Sequence, residues 1–159
     1  MKKTLVAYFS ASGVTAGVSK NLAKAADADL YEIKPQVPYT REDLNWNDQQ
    51  ARSTIEMNDK SFRPPLADKD VNIQEYDVVY VGFPIWWYVA PTIINTFLES
   101  YDFSGKTIIL FATSGGSGFG NTVNELEESC PGAKLIEGRV LSSRQSESDL
   151  KKWVDSLGY

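Results

Sequence analysis

Thr4-Leu5-Val6-Ala7-Tyr8-Phe9-Ser10-Ala11-Ser12-Gly13-Val14-Thr15 runs from an apolar segment, through a loop of hydroxyls and glycine, into a stretch of helical periodicity. Thr4 to Phe9 reads as a buried strand, and Val14, Val18, Leu22 and Ala25 then recur at helical spacing. A strand-to-helix junction of this composition can cradle a phosphate. The tight turn exposes backbone N–H groups, Ser10, Ser12 and Thr15 add hydroxyl donors, and the helix N-terminus favours an anion. The loop carries no lysine, so a terminal monophosphate held by neutral donors fits better than a triphosphate with its metal. The same residues also suit an ordinary βα turn, with serine and glycine serving only as cap and turn residues. On this loop alone the two readings stand level.

Outward from the loop, strand-like runs alternate with amphipathic segments. Leu30 to Ile33, Val78 to Phe83, Thr107 to Ala112 and Lys134 to Leu141 supply four further strands. Helices are expected with Pro91 in the first turn of one, carrying Ile93, Ile94, Phe97 and Leu98, and from near Asn121 towards Ser129 in another. A last helix opens on the capping pair Ser146 and Asp149 and stops at Gly158, with Leu150, Trp153, Val154 and Leu157 on one face. Five strands separated by helices imply an α/β fold, a parallel sheet covered on both faces. Ligands of such sheets sit outside the carboxyl ends of the strands near the switch point, so the loops after strands one, three and four should face one site.

The 159 residues suit one domain over 1–159, with residues 35–70 as a long excursion between strands two and three. That excursion is expected to hold one polar helix and to be a solvated crossover, a lid or dimer contact through Tyr39 and Trp46 being the less favoured alternative. Formal net charge is −5 and the isoelectric point about 4.8, which argues against nucleic acid and anionic membranes as partners. A basic partner protein is compatible. No stretch approaches transmembrane length, nothing resembles a signal peptide, and the single cysteine allows no intrachain disulfide, so a cytoplasmic location is expected. The chain has no histidine, which removes Ser-His-Asp triads, Cys-His dyads and His-ligated metals. Cys130, at an expected helix end with no base nearby in sequence, reads as an inert structural thiol.

Two further loops belong to the predicted site. Pro84-Ile85-Trp86-Trp87-Tyr88 follows strand three, and tryptophan in a loop suggests a flat ligand stacked on one ring. Thr113-Ser114-Gly115-Gly116-Ser117-Gly118-Phe119-Gly120 follows strand four, and its glycines let backbone N–H groups approach a ligand edge. Core closure by the aromatic rings and a merely flexible glycine turn are the plainer readings. Gly105-Lys106-Thr107 resembles the end of a Walker A motif, but Ser100 stands where its first glycine belongs and the segment enters a strand. A phosphate cradle, an aromatic loop and a glycine loop at one sheet edge suit a phosphorylated flat heterocycle, with FMN the natural candidate.

On these three loops, in this order, the chain resembles the flavodoxin family across essentially its whole length. Ser10 to Thr15 looks like that family's phosphate loop, Trp86 falls at its flavin-stacking position, and Thr113 to Gly116 fall on its third flavin loop. The resemblance implies a three-layer sandwich of strand order 2-1-3-4-5, non-covalent FMN and electron transfer. Ser10, Ser12, Gly13, Val14 and Thr15 are then expected to hold the phosphate. Pro84, Ile85, Trp86 and Trp87 are expected to line the isoalloxazine, and Thr113, Ser114, Gly115 and Gly116 to meet its pyrimidine edge. No side chain qualifies as a catalytic acid or base, and no metal site is expected. The partner would be a redox protein or a small-molecule acceptor, and oligomeric state is not legible.

Two positions depart from the family's pattern. A small or turn-tolerant residue often follows the stacking tryptophan, where the peptide can flip towards flavin N5. Trp87 stands there and accepts positive φ poorly, so weak stabilisation of one-electron-reduced flavin is expected. The third loop has no carboxylate, which implies a less negative potential for the fully reduced flavin than in typical members. Both departures favour the alternative function, an NAD(P)H-dependent two-electron flavin reductase acting on quinones or similar flat acceptors. An electron carrier is read first because the resemblance covers the chain.

Overall fold

A computed structural model describes residues 3–11, 13–45, 47–87, 89–114, 118–142 and 144–159. The strands are β1 (Thr4–Tyr8), β2 (Asp29–Glu32), β3 (Val78–Pro84), β4 (Thr107–Thr113) and β5 (Lys134–Val140). The helices are α1 (Val14–Ala26), α2 (Arg52–Met57), α3 (Thr92–Glu99), α4 (Thr122–Leu126) and α5 (Glu147–Leu157). All strand pairs are parallel, and the sheet has the order β2-β1-β3-β4-β5. This is the flavodoxin-like α/β sandwich, with its switch point between β1 and β3.

Alternation along the strands divides the core. Leu5, Ala7, Val79, Val81, Ile108 and Leu110 pack with Ile93, Ile94 and Phe97 of α3 and with Leu126 of α4. Val6, Tyr8, Tyr80, Ile109 and Phe111 face the other way, onto Val18 and Leu22 of α1 and Leu150 and Trp153 of α5. Period-two side chains on a sheet buried on both faces give this division directly. Gly82 is fixed by the packing, since a Cβ there would lie 2.1 Å from the Phe111 ring.

The expected boundaries hold to within a residue or two, with two informative differences. Pro91 is not inside the helix but caps it from extended backbone, with ψ 146°, and α3 begins at Thr92. The helix after Asn121 is short, since α4 gives way to a 3-10 turn over Glu127–Ser129. Cys130 follows that turn, buried, with Sγ against the Leu126 carbonyl at 3.4 Å. At the C-terminal end, Ser146 and Asp149 form the reciprocal capping box and Gly158 closes α5 in the left-handed conformation.

The excursion is largely exposed, as expected of a solvated crossover, but it is anchored at several points. It is tied at its base, where Gln36 N–H donates to the Pro65 carbonyl and Ala67 N–H to that of Lys34, both at 2.8 Å. Its polar helix is α2, yet Ala51, Ser53, Thr54 and Glu56 are buried. Lys60 reaches Glu125 of α4 at 2.6 Å, and Arg63 grips Glu99 of α3 through two contacts of 3.0 and 3.1 Å. The excursion is therefore anchored to the α3–α4 side of the molecule at these points, while most of its described residues remain exposed. Trp46 lies outside the described residues.

Candidate functional site

Because β1, β3 and β4 are adjacent and parallel, the loops after them emerge at one edge. Thr113, at the end of β4, joins all three. Its Oγ1 lies 2.7 Å from Thr15 Oγ1 in a buried contact, and its carbonyl accepts from Ile85 N–H at 2.9 Å. Pro84 stands beside Thr113 in the β3–β4 register. The structure thus brings together Thr15 of the first loop, Pro84 and Ile85 of the second, and Thr113 of the third. Ser114 follows, half-buried. Ser12, Gly115 and Gly116, also expected at this site, lie outside the described residues.

In the first loop, Ser10 Oγ accepts from Gly13 N–H and Ala16 N–H, both at 3.1 Å. The serine therefore performs the capping role, and it does so without filling the helix end. Val14 and Thr15 open α1, where backbone N–H groups have no intrahelical acceptor. Gly13 sits at φ 96°, which explains the glycine, and a Cβ built there would meet nothing within 4 Å. No acidic residue occupies the first turn. Open space beside Gly13, helix-start N–H groups without intrahelical acceptors, neutral hydroxyls and the end of a 13-residue helix fit a phosphomonoester dianion. Cap and cradle are compatible, because Ser10 shapes the turn while later N–H groups stay available.

The second loop is a tight hairpin. Trp86 and Val89 form an antiparallel bridge, with N–H to carbonyl distances of 2.9 and 3.1 Å in the two directions. Such a two-residue connection requires positive φ at its first central residue, and Trp87 adopts φ 51°. The steric argument against positive φ at this position is thereby overturned: the hairpin imposes what the side chain disfavours. The expectation of weak one-electron stabilisation loses that ground. The Trp87 side chain is exposed, at 42%.

Trp86 is half-buried and held edge-on by two rings, Phe9 at 5.8 Å and Tyr39 at 5.5 Å between centroids. Phe9 and Tyr39 also meet each other at 5.5 Å. Tyr39 comes from the excursion and is itself locked. Its hydroxyl donates to the buried carboxylate of Glu56, and the Arg52 guanidinium lies 3.8 Å from its ring centroid. Arg52 Nε donates to Glu56 at 2.9 Å, and its Nη1 to the Val37 carbonyl at 2.7 Å. Burial, then the hydrogen bond to Glu56, pushes the Tyr39 phenol well above its ordinary pKa, so it stays a donor. Arg52 and Glu56 gave no signal in sequence beyond i,i+4 spacing on a polar helix, and Phe9 read only as a strand residue.

Behind the hairpin runs a groove. One lobe, of about 390 Å³, is lined by Trp87, Val89, Met57, Asn58 and Asn121. A second, of about 330 Å³, shares Met57, Val89 and Asn121 and continues to Thr92, Asn95 and Asn124. Nothing in the sequence pattern marks it, because its walls come from the excursion, the hairpin, α3 and α4.

The fold agrees with the comparisons. A flavodoxin family model matches residues 3–157, and the chain belongs to that family. A provisionally named flavoprotein of Bacteroides eggerthii is 47% identical, with TM-score 0.93, over 100% of this chain and 99% of its own. One from Bacteroides uniformis is 50% identical, with TM-score 0.91, over 97% of this chain and 98% of its own. A flavoprotein of Lactobacillus acidophilus, solved in complex with FMN, is 25% identical, with TM-score 0.68, over 96% of this chain and 99% of its own. No curated protein matches the chain. Among the described residues no helix is long and apolar enough to cross a membrane.

Proposed function

We propose that this protein binds FMN non-covalently and passes reducing equivalents through it. The observation that carries this reading is Thr113, which ties the phosphate-type loop, the tryptophan hairpin and the third loop into one edge site through contacts of 2.7 and 2.9 Å. Family membership and the FMN complex of the Lactobacillus acidophilus flavoprotein support it. Val14 and Thr15 N–H groups, with the Ser10 hydroxyl, would receive the phosphate. Pro84, Ile85, Trp86 and Trp87 would line the ring system, and Thr113 and Ser114, with Ser12, Gly115 and Gly116 from the sequence, complete the proposed set.

When bound, FMN supplies the redox chemistry; the chain binds it, orients it and excludes water. Trp86, fixed by Phe9 and Tyr39, offers a wall that does not have to be ordered on binding. The hydroxyls of Thr15 and Thr113 hold the phosphate and ring ends of the site at a fixed separation.

Electron carriage between proteins is the first reading, with a redox protein as partner. The groove beside Trp87 favours a second, a two-electron reductase that takes NAD(P)H and a flat acceptor. Purified protein should be yellow and release FMN on denaturation. NADH and NADPH oxidation, with and without a quinone, then separates the readings: a carrier gives almost no direct turnover, a reductase gives quinone-dependent turnover.

A further inference from the structure

We propose that the cavity between β5 and α5 binds the phosphate group of a small organic phosphomonoester. The cavity, of about 320 Å³, is lined by Arg139 of β5, by Gln145 ahead of α5, and by Asp149, Lys152, Trp153 and Ser156 of α5. It shares no residue with the three loops of the proposed cofactor site, so it stands apart from the FMN reading.

A β-bulge builds one wall. Along the β4–β5 ladder Leu110 pairs with Glu137 but Phe111 with Arg139, which leaves Gly138 as an extra residue on the edge strand. Strict alternation would put Ile136 and Val140 on one face. Instead Ile136 and Leu141 pack on the α1–α5 side, and Leu135 and Val140 on the α3–α4 side. The bulge thus reverses the facing of the strand's end and delivers the Arg139 side chain to α5. Glycine is required at the extra position, since a Cβ there would lie 2.0 Å from the Leu110 carbonyl oxygen and 3.0 Å from Cζ2 of Trp153. Cζ2 is next but one to the indole nitrogen, so the ring edge that carries the N–H is turned towards β5.

The uncommitted groups of this cavity are mainly donors. Trp153 is only 6% exposed, yet its indole N–H has no hydrogen-bond partner among the described residues and is not sealed from solvent. Nearly all buried donors are satisfied, so one left open beside two cations points to an anionic ligand. Arg139 and Lys152 make no ion pair and no side-chain hydrogen bond among the described residues. Gln145 commits its Oε1 to Ser142 N–H at 2.9 Å, which leaves its carboxamide N–H groups to donate. Asp149 commits Oδ2 to Ser146 N–H at 3.3 Å in the capping box, and Ser156 donates to the Trp153 carbonyl at 2.6 Å. Two cations against one carboxylate keep the lining positive in a chain of net charge −5. A guanidinium fork and an ammonium together match the charge and the three oxygens of a phosphomonoester, whereas a lone carboxylate leaves one cation unmatched.

Titration of the nitrogen-15-labelled full chain with phenyl phosphate, followed by NMR through the tryptophan indole N–H signals, tests the site. The Trp153 signal is identified by its loss in Trp153→Phe. It should move on titration both in protein saturated with FMN and in protein without it. Arg139→Gln and Lys152→Gln, at exposed positions with no partner to lose, should each weaken binding roughly five- to tenfold. Asp149→Asn keeps a capping side chain and removes the carboxylate, so it should tighten binding roughly two- to fivefold. A Trp153 signal that stays still, unchanged affinity in either cation variant, or benzoate binding as tightly as phenyl phosphate would each overturn the assignment. FMN uptake, followed by visible absorbance, is scored separately: a chain that takes up no FMN yet binds phenyl phosphate through Arg139 and Lys152 overturns the cofactor reading and upholds the β5–α5 site.

Discussion

Tyr39 of the excursion and Trp86 of the second loop meet edge to face, with ring centroids 5.5 Å apart and planes at 75°. Through this contact a segment outside the regular βα alternation fixes the proposed stacking ring. The excursion is thus part of the proposed site's wall, and its anchor is the buried Glu56 carboxylate, held by Arg52 at 2.9 Å and by the Tyr39 hydroxyl.

Removing the Tyr39 ring should therefore loosen Trp86. Tyr39→Ala is expected to weaken FMN binding roughly five- to tenfold, the value of an aromatic pair. Tyr39→Phe keeps the ring contact and should leave FMN affinity nearly unchanged. It costs about 2 kcal/mol of stability, because the buried Glu56 carboxylate loses a donor. Flavin fluorescence quenching and urea unfolding read the two effects separately, and equal FMN affinities for Tyr39→Ala and wild type would contradict the wall's role.

The hairpin strain at Trp87 gives a second expectation. Relief of left-handed backbone is worth about 1 kcal/mol for an ordinary side chain, and asparagine tolerates that conformation. Trp87→Asn should raise the melting temperature by about 2–4 °C in the cofactor-free protein. A fall in thermal melting would show that ring packing outweighs the strain.

Ser10 separates capping from phosphate recognition. Ser10→Ala strips Gly13 and Ala16 N–H groups of their acceptor, at a cost of about 1 kcal/mol in stability. If the loop holds phosphate, the same variant loses affinity for FMN but not for riboflavin, which lacks the phosphate. Parallel titrations with the two flavins measure the ratio, and an equal loss for both would return the loop to an ordinary turn.

Alkaline pH should destabilise the fold. Burial pushes the Cys130 thiol up to about 11 and the Tyr80 and Tyr76 phenols up to about 12. The folded chain keeps these protons at pH values where the unfolded chain has released them, so unfolding free energy falls as pH rises. The contribution is fully present below the ordinary thiol value of 9.0 and is lost on the way to about 12. Urea midpoints at neutral pH and at about pH 10.5 should differ in that sense. Iodoacetamide should leave native Cys130 unmodified at neutral pH.

Much of this architecture is written locally. Thr4 to Phe9, Val78 to Phe83 and Thr107 to Ala112 are apolar runs with strand composition, and a sheet buried on both faces needs such runs. Ser146, Asp149 and Gly158 mark a helix by cap chemistry that acts within a few residues. The three loops were legible for the same reason: each is a short run of residue types whose donors, rings or glycines belong to one turn. The sheet rule then required them to share an edge.

What the tertiary structure decided lies between elements distant in sequence. The excursion is mostly exposed, as its polar sequence implies, yet the Glu56 carboxylate is buried between the half-buried Arg52 and Tyr39. A buried carboxylate looks like a surface residue until its partners are known. Trp87 takes positive φ because Trp86 and Val89 close a two-residue hairpin, a constraint from pairing that overrides the side chain's preference. Thr15 and Thr113 read only as separate loop hydroxyls; folding places them 2.7 Å apart and joins the first and third loops. Local propensity acts over a few residues, whereas packing, ion pairing and hydrogen bonding act through space.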